Sequence, residues 1–267
     1  MQTREHDIVD HASPLPPPPQ ADAARIALFL DLDGSLLDFA EHPAAVEVTP
    51  LMRATLRRVD RALGGAFALL SGRSLEQIDA MLDVPEISAA GLHGGERREH
   101  PRAQAAHSRT VAQRNRIDAL GSEARESVAA LEGVEVEDKG TALALHYRRA
   151  PQSSARVAEI ADALLRKAGT GFELQRGNHV VELKPAGCDK GDALAAFLRE
   201  PAFAGRRPWM IGDDLTDEHA FERSNAEGGV SIIVGPRRPT AARHALADPR
   251  AVRAWLERLA DSAEART

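Results

Sequence analysis

The sequence has little cysteine and lacks long apolar runs. Cys188 is the single cysteine, which excludes an internal disulfide and favours a reducing compartment such as the cytoplasm. No apolar run approaches the roughly 18 residues that a membrane-spanning helix needs. The N-terminal segment MQTREHDIVD carries acidic residues and lacks the apolar core of a secretory signal. These absences favour a cytoplasmic protein that neither spans a membrane nor is secreted.

Positive charge is not in excess either. The 267 residues include 34 Lys and Arg against 40 Asp and Glu, for a net charge of -6, and the basic residues are spread along the chain. Nothing therefore indicates a nucleic-acid-binding surface. The length and the 43% hydrophobic content suit a globular α/β protein with one large domain, or a core with an inserted smaller domain.

The N-terminal region contains the proline-rich stretch SPLPPPPQ at residues 13–20. Proline-rich segments favour an extended polyproline conformation and do not build a packed core. We therefore expect residues 1–22 to form a disordered tail. A ligand for a proline-binding module is the alternative interpretation of this stretch.

After the tail, apolar runs alternate with helical patterns. Continuous apolar runs at 26–30 (IALFL) and 66–70 (AFALL) are typical of strands that are covered on both faces. Between them, Thr49 and Pro50 favour a helix start, as the cap and the first helical residue. A further β segment at 86–95 continues the alternation. This order of elements predicts a parallel sheet.

The middle of the chain has a different pattern. Residues 141–147 (TALALHY) alternate larger apolar residues with Ala and His, which predicts antiparallel strands with one covered face. Amphipathic helices flank this segment, and we interpret residues 106–185 as an inserted α+β domain. Apolar strands at 209–212 (WMIG) and 230–234 (VSIIV) then resume the parallel pattern. The predicted core consists of residues 23–105 and 186–267.

Polar residues follow the predicted parallel strands. Ligands of open parallel sheets bind at the carboxyl ends of the strands, so side chains that are far apart in sequence are expected to meet in one crevice. Lys190 begins a predicted helix, where its charge opposes the helix dipole, and this position favours an anionic partner. The residues predicted to meet are Asp31, Asp33, Ser71, Lys190, Asp213, Asp214 and Asp217.

Carboxylates this close together need a neutralising partner. Oxygen ligands of this kind suit Mg²⁺, which holds few protein ligands. Together with the metal, Lys190, the Ser71 hydroxyl and backbone N–H groups near Gly34 and Gly72 can spread the charge of a transferring phosphoryl group. One carboxylate can then attack phosphorus while a second protonates the leaving alkoxide. The predicted chemistry is Mg²⁺-dependent phosphoryl transfer.

The same residues lie in motifs that resemble those of the haloacid dehalogenase superfamily of phosphotransferases. The motifs are DLDGSL, LLSGRS, the Lys of DKG, and GDDLTDE. The resemblance implies that Asp31 is the nucleophile and that Asp33 is the general acid/base. It implies that Ser71 and Lys190 hold the phosphate.

The superfamily resemblance also implies a metal site. Asp213 matches the acidic Mg²⁺ ligand, and it is joined by the Asp31 carboxylate and the Asp33 backbone carbonyl. Asp214 and Asp217 match supporting acids around the metal. Mg²⁺ is therefore the expected cofactor.

Longer stretches, from residue 25 onward, resemble the trehalose-6-phosphate phosphatase family. They are GLHGGERR (91–98), VEVEDKGTALALHYR (134–148), VVELKPAGCDKG (180–191) and GDDLTDEHAF (212–221). The resemblance implies a Rossmann-like parallel-sheet core, with the inserted domain as a mobile cap that closes over the sugar. It implies trehalose 6-phosphate as the substrate, and we expect a monomer or weak oligomer. The implied substrate-binding residues are Gly72, Arg73, Glu96, Glu137, Lys139, Arg148 and Glu182.

Two other functions stay open at this point. A phosphatase for another sugar phosphate, such as sucrose phosphate or mannosylphosphoglycerate, can use the same core with a related cap. A non-catalytic domain that binds sugar phosphates or docks onto a synthase is expected to lose the nucleophile or its acid. Asp31 and Asp33 are both present, which favours an enzyme.

Several polar residues also have a purely structural interpretation. The Asp-Gly pair at Asp33 is good turn chemistry by itself. His93 is as compatible with a structural role as with a substrate contact, His146 is predicted to be a packing residue, and Cys188 is predicted to be inert. The arginine pairs predicted to be solvated surface are at 97–98, 206–207 and 237–238.

Overall fold

The computed structural model describes residues 14–38, 48–98, 106–107, 111–140, 142–187 and 189–265. The predictions for residues 1–13, for Thr141 and for Cys188 lie outside the described residues. Within these ranges, no helix is both long and apolar enough to cross a bilayer.

The secondary-structure elements follow in three blocks along the chain. The first block contains β1 (Ile26–Asp31), α1 (Pro50–Ala62), β2 (Phe67–Leu70), α2 (Leu75–Leu82), β3 (Ser88–Gly91), β4 (Glu96–Arg98) and β5 (Ala106–His107). The second contains α3 (Val111–Val128), β6 (Glu135–Asp138), β7 (Leu143–His146), α4 (Ser154–Ala168), β8 (Phe172–Gly177) and β9 (Val180–Pro185). The third contains α5 (Lys190–Phe197), β10 (Arg207–Gly212), α6 (Glu218–Ala226), β11 (Val230–Val234), β12 (His244–Leu246) and α7 (Pro249–Glu264).

These strands form two separate sheets. The first and third blocks share an eight-stranded sheet in the order β12-β11-β10-β1-β2-β3-β4-β5. Its strands are parallel from β12 to β3, and β4 and β5 are antiparallel at one edge. The second block forms an antiparallel sheet in the order β6-β7-β9-β8, which we call the cap sheet. The predicted fold class, a parallel-sheet α/β core with an inserted α+β cap, is confirmed.

The large sheet is covered by helices on both faces. All six residues of β1, near the middle of the sheet, are buried, and its neighbouring residues Leu28 and Phe29 point to opposite faces. The Phe29 ring lies 6.2 Å from the ring of Phe197 in α5. Trp209, which pairs with Leu28, stacks on Trp255 of α7 at 5.7 Å. Helices α5 and α7 therefore lie on opposite faces, which makes the core a three-layer structure.

Two helices of the first block, α1 and α2, begin at side-chain caps. The Thr49 hydroxyl accepts a hydrogen bond from the Met52 N–H at 3.2 Å, and Pro50 is the first residue of α1, as predicted. Ser74 and Gln77 form a reciprocal capping box at the start of α2. Because α2 follows β2 after a short loop, this capping box fixes the direction in which that loop leaves the sheet.

Helices cover one face of the cap sheet, and its other face is partly buried. Helices α3 and α4 pack with Leu145 and other apolar residues on one face. Ala144 on the opposite face is buried as well, next to Glu137 and Glu182 on the neighbouring strands. The prediction of one covered face for 141–147 is therefore wrong, because the second face is turned toward the core.

Two features at the predicted domain boundaries differ from expectation. Strand β5 pairs with β4, so residues 106–107 belong to the large sheet, and the division at residue 106 stays a prediction. Within the predicted disordered tail of residues 1–22, Leu15 packs against the core and the Pro16 carbonyl accepts a hydrogen bond from the Ala245 N–H at 3.0 Å. This part of the tail is held in place because β12 is an edge strand with a free backbone donor.

Candidate active site

The carboxyl ends of three adjacent strands and the start of α5 meet at one crevice. Asp31 is the last residue of β1, which lies between β10 and β2, and Ser71 and Asp213 directly follow those neighbouring strands. A cavity of about 420 Å³ opens between this edge and the cap sheet, with lining residues from both. The structure therefore brings the predicted residues together.

Lys190 joins two buried carboxylates. Its Nζ atom lies 2.6 Å from Asp31 Oδ1 and 2.7 Å from Asp217 Oδ1, and all three residues are buried. Burial acts to lower the pKa of Lys190, but Asp217 and Asp31 outweigh it and raise the pKa above its usual value. The ammonium group therefore stays charged, and these acids are the anionic partners that its position at the helix start predicts.

Three carboxyl groups lie close together at this point, beside the single ammonium group of Lys190. Carboxylate oxygens of Asp31, Asp213 and Asp217 all lie within 4.8 Å of one another. Burial raises the pKa of Asp31 well above its ordinary value, and Asp217 and Asp213 add to this although Lys190 opposes them. Burial and Asp217 raise the pKa of Asp213 to about 7. One ammonium group does not balance three carboxylates, so a divalent cation with oxygen ligands fits this donor set.

Asp217 and Asp214 have different surroundings. Asp217 Oδ1 accepts a hydrogen bond from Lys190, and Oδ2 accepts from the N–H groups of Asp213 at 2.9 Å and Asp214 at 3.0 Å. Asp214 lines the cavity, and its Oδ1 accepts from the Leu215 N–H at 2.7 Å. Because both oxygens of Asp217 are engaged, this residue orients the loop and Lys190.

Asp33 is held by an arginine. Arg73 Nε donates to Asp33 Oδ2 at 2.7 Å, and Arg73 Nη2 donates to Asp33 Oδ1 at 2.6 Å, which is a bidentate charged pair. Both side chains line the cavity, and Asp33 is only half-buried. Arg73, predicted to bind substrate, therefore contacts the predicted acid/base in this structure and fixes the orientation of its carboxylate.

The loop after β2 contacts the cap directly. Ser71 is buried, and its Oγ accepts a hydrogen bond from the Arg73 N–H at 3.1 Å. Lys139 Nζ of the cap donates to the Gly72 carbonyl at 3.1 Å and to Glu182 Oε2 at 2.8 Å. Burial acts to raise the pKa of Glu182, but Lys139 and a neighbouring histidine outweigh it and lower the pKa below its usual value. Lys139 and Glu182 are therefore a charged pair at the cap–core boundary.

Glu137 makes a second contact between the cap and the core. Its Oε1 accepts a hydrogen bond from Gln77 Nε2 of α2 at 2.8 Å, and its Oε2 lies 2.9 Å from His146 Nε2. Burial acts to raise the pKa of Glu137, but His146, Lys139 and Gln77 outweigh it and lower the pKa to about 2. His146 also lines the cavity, so the prediction that it is only a packing residue is wrong.

Of the predicted substrate-binding residues, Arg148 of the cap lines the cavity and Glu96 does not. Glu96 lies in β4 apart from the cavity lining, and its Oε2 accepts a hydrogen bond from the Leu75 N–H at 2.8 Å. Glu96 thus satisfies a backbone donor at the start of α2 in this structure, and a substrate contact by it stays a prediction.

His93 lies between the core loop and the cap. It adopts a left-handed backbone conformation with φ of 55°, which is uncommon for residues other than glycine and often marks functional sites. Its buried ring lies beside Gly72, with Nε2 at 3.6 Å from Glu182 Oε2. Burial lowers the pKa of His93, although Glu182 opposes it, so the ring is neutral near pH 7. The glycine-rich GLHGG context was the signal in the sequence for this unusual turn.

The prediction that the arginine pairs are solvated surface is wrong for several members. Arg98 is buried and pairs with Asp79 at 2.6 Å. Arg206 donates to the carbonyl oxygen of Ile26 at 3.2 Å. Arg237 is half-buried and contacts the loop after β10. In each case the guanidinium group binds carboxylate or carbonyl acceptors on another segment of the chain, which local sequence does not reveal.

Gly72 has no space for a side chain. A Cβ atom there would lie 2.7 Å from the Cε1 and Nε2 atoms of His93, whose ring is buried. We therefore expect Gly72→Ala to lower the free energy of unfolding by about 1–3 kcal/mol through overpacking, and to lower kcat/KM because the Ser71 loop moves. Chemical denaturation and steady-state kinetics measure the two effects.

The matched control for this substitution is Gly121→Ala in helix α3. A Cβ atom at Gly121 meets nothing closer than 3.5 Å, so this variant should keep wild-type activity and be as stable as the wild type or slightly more stable. A Gly72→Ala protein that is indistinguishable from the wild type would contradict the close packing of Gly72 on His93.

Comparison with known proteins identifies the family. The family described as Trehalose-phosphatase matches residues 29–250. The chain is 44% identical over 220 residues to a probable trehalose-phosphate phosphatase of Sinorhizobium fredii, with 80% of each chain covered. It is 38% identical over 236 residues to the trehalose-6-phosphate phosphatase of Escherichia coli, covering 88% of this chain and 86% of that protein.

A solved structure shows the same fold. The C-terminal domain of trehalose-6-phosphate phosphatase from C. albicans superimposes with a TM-score of 0.75 at 22% identity, over 89% of this chain and 92% of that one. The family matched over most of the chain agrees with the resemblance of the motifs. This protein belongs to the trehalose-phosphatase family.

Proposed function

We propose that this chain hydrolyses trehalose 6-phosphate to trehalose and phosphate, with Mg²⁺ bound and with Asp31 transiently phosphorylated. The observation that carries the proposal is the buried arrangement of Asp31, Lys190 and Asp217 on the core side of a cavity whose other side is formed by charged cap residues. The choice of sugar is supported by the relatives, which are named as phosphatases of trehalose phosphate.

The residues around Asp31 suit a hard divalent cation. The carboxylates of Asp31 and Asp213 and the backbone carbonyl of Asp33 are the groups that would hold it. Asp217 acts indirectly by holding Lys190 and the Asp213 loop in place, because its oxygens already accept hydrogen bonds from Lys190 and from two backbone N–H groups. When bound, Mg²⁺ offsets the negative charge of the carboxylates and of the substrate phosphate.

Phosphoryl transfer to Asp31 is the first step. A carboxylate oxygen of Asp31 forms a bond to phosphorus, while the bond between phosphorus and the sugar oxygen O6 breaks. Lys190, 2.6 Å from Asp31, is placed to bind a phosphate oxygen and to stabilise the developing charge. Asp33 in its protonated form gives its proton to O6, so that trehalose leaves as a neutral alcohol.

Hydrolysis of the aspartyl-phosphate is the second step. Asp33, now ionised, takes a proton from a water molecule as its oxygen attacks phosphorus. The bond between phosphorus and Asp31 breaks, and phosphate is released while Asp31 recovers its carboxylate. Arg73 orients the Asp33 carboxylate through hydrogen bonds of 2.6 and 2.7 Å. Asp33 carries the proton in both steps, and Arg73 keeps its carboxyl group oriented.

The sugar is expected to bind against the cap. Glu137, Lys139 and Glu182 place charged donors and acceptors on this side of the cavity. Among the described residues, Glu182 Oε1 and His93 Nδ1 are buried without a hydrogen-bond partner although both side chains line the cavity. Sugar hydroxyls donate and accept hydrogen bonds, so they can complete both groups. These atoms support a polyhydroxylated leaving group.

The proposal predicts a strong preference for trehalose 6-phosphate. At equal concentrations with Mg²⁺, we expect its kcat/KM to exceed those of sucrose 6-phosphate, mannosylphosphoglycerate and glucose 6-phosphate, because only a matching sugar satisfies the cap groups. Phosphate release across this panel is the measurement. Comparable turnover of unrelated sugar phosphates would remove the trehalose assignment and favour a broader phosphatase.

A cap variant separates sugar recognition from chemistry within the same assay. Glu137→Gln removes one charged acceptor, so KM for trehalose 6-phosphate should rise about tenfold or more. Turnover of p-nitrophenyl phosphate, which has no sugar, should stay near the wild-type value. Glu159→Gln in α4 is the matched control, because Glu159 is exposed on the far side of the cap.

A further inference from the structure

Arg237 contacts the loop that carries the predicted metal ligand Asp213. It lies in the segment between β11 and β12 and is half-buried. Its Nε donates to the Asp213 carbonyl at 3.0 Å, and its Nη2 donates to the Asp214 carbonyl at 3.3 Å. The planar fork of a guanidinium group suits two neighbouring carbonyl acceptors.

The N–H groups of the same two residues are held by Asp217. Its Oδ2 accepts hydrogen bonds from the N–H groups of Asp213 at 2.9 Å and Asp214 at 3.0 Å. The backbone of these two residues is therefore fixed through its donors by a buried carboxylate and through its carbonyl acceptors by Arg237. The direction in which the Asp213 side chain leaves the backbone depends on both.

Arg237 is itself anchored by two further groups. Its Nη2 also contacts a carboxylate oxygen of Glu218, the first residue of α6, and its Nη1 donates to the Pro239 carbonyl at 3.1 Å. The other Glu218 oxygen accepts a hydrogen bond from the Ala241 N–H at 2.7 Å. Arg237 and Glu218 thus tie the loop after β10 to the segment before β12.

From this geometry we infer that Arg237 is a positioning residue for Asp213, and that it acts on cation binding through the backbone of the Asp213–Asp214 loop. It does not touch the reacting atoms. The inference rests on the proposed Mg²⁺ site. Lysine at this position keeps the charge but has all its donors on one nitrogen atom, so it cannot reproduce the contacts that Nε, Nη1 and Nη2 of Arg237 make with separate acceptors.

The test is Mg²⁺ binding by Arg237→Lys, measured by calorimetry on the protein without substrate. We expect the dissociation constant for Mg²⁺ to rise about 10- to 100-fold, as for other residues that orient a metal ligand. The Mg²⁺ concentration that gives half-maximal turnover should rise in parallel. At saturating Mg²⁺, KM for p-nitrophenyl phosphate should stay near the wild-type value.

Two further variants keep the test decisive. Arg238→Lys is the matched control, because Arg238 is exposed and donates to the Arg237 carbonyl; it should bind Mg²⁺ like the wild type. Glu218→Gln removes the charge that anchors Arg237 and should weaken Mg²⁺ binding in the same direction by a smaller factor.

The possible outcomes distinguish this inference from the proposed function. An Arg237→Lys protein that melts at a lower temperature but binds Mg²⁺ like the wild type would overturn the positioning role, since Arg237 would then only stabilise the fold. A wild-type protein that binds no Mg²⁺ would overturn the metal requirement of the proposed function itself.

Discussion

Asp31→Asn is expected to abolish phosphate release from trehalose 6-phosphate, with a loss of about 10⁴-fold or more, as for nucleophiles of other covalent enzymes. The amide has no anionic oxygen to attack phosphorus. It also removes the negative charge from the group whose Oδ1 lies 2.6 Å from Lys190 Nζ. Phosphate release at saturating substrate and Mg²⁺ is the measurement.

The fold should tolerate this substitution. Burial raises the pKa of Asp31 well above its ordinary value, and Asp217 and Asp213 add to this although Lys190 opposes them. A raised pKa of an acid means that folding disfavours its charged form at neutral pH. A neutral amide of similar shape therefore relieves an unfavourable charge, and we expect a melting temperature at or above that of the wild type in the absence of metal.

The control for Asp31→Asn is Asp118→Asn, the same chemical change at an exposed position of α3, which should keep wild-type turnover. Borohydride reduction of wild-type protein quenched during turnover should convert a phosphorylated Asp31 to homoserine, which peptide mass mapping detects. Wild-type turnover by a folded Asp31→Asn protein would show that another group attacks phosphorus.

Lys190→Met is expected to lower both activity and stability. Lys190 bridges Asp31 and Asp217 in a buried site. Removing one partner of a buried ion pair leaves uncompensated charge and costs about 3–5 kcal/mol in the free energy of unfolding. Turnover should fall about 10²- to 10³-fold, since the ammonium no longer stabilises the transferring phosphoryl group. Chemical denaturation and phosphate release measure the two losses.

A second substitution separates the two roles of Lys190. In Lys190→Met/Asp217→Asn, one of the uncompensated carboxylates is gone, and the side-chain oxygen of Asn can still accept from the N–H groups of Asp213 and Asp214. Stability should recover in large part while turnover stays low. Lys167→Met, at an exposed position in α4, is the control. Recovery of turnover together with stability would mean that Lys190 serves only to balance charge.

Much of the fold follows from local sequence. The strand predicted at 230–234 has the bounds of β11, and the strand predicted at 26–30 differs from β1 by one residue. Thr49 and Pro50 begin α1 as predicted. Apolar runs and helix caps depend on residues close together in the chain, so a single sequence is sufficient to find them.

The site is a different matter, because its contacts join distant segments. The convergence of Asp31 and Lys190 was predictable, since the topology of a parallel sheet brings strand ends to one edge. The pairing of Arg73 with Asp33 and the contact of Arg237 with the Asp213 loop were not. An arginine in a solvated loop and an arginine that orients a catalytic loop have the same local sequence pattern.

The sequence by itself determined the order of elements, the helix caps, the family and the set of acids that meet Lys190, because motifs and periodicity are properties of neighbouring residues. Only the tertiary structure decided which partner each charge takes. Glu96 satisfies a backbone donor of α2, whereas Glu182 and Lys139 form a buried pair beside the cavity. Electrostatic and hydrogen-bonding partners depend on distances of a few ångströms between segments that only the folded chain brings together.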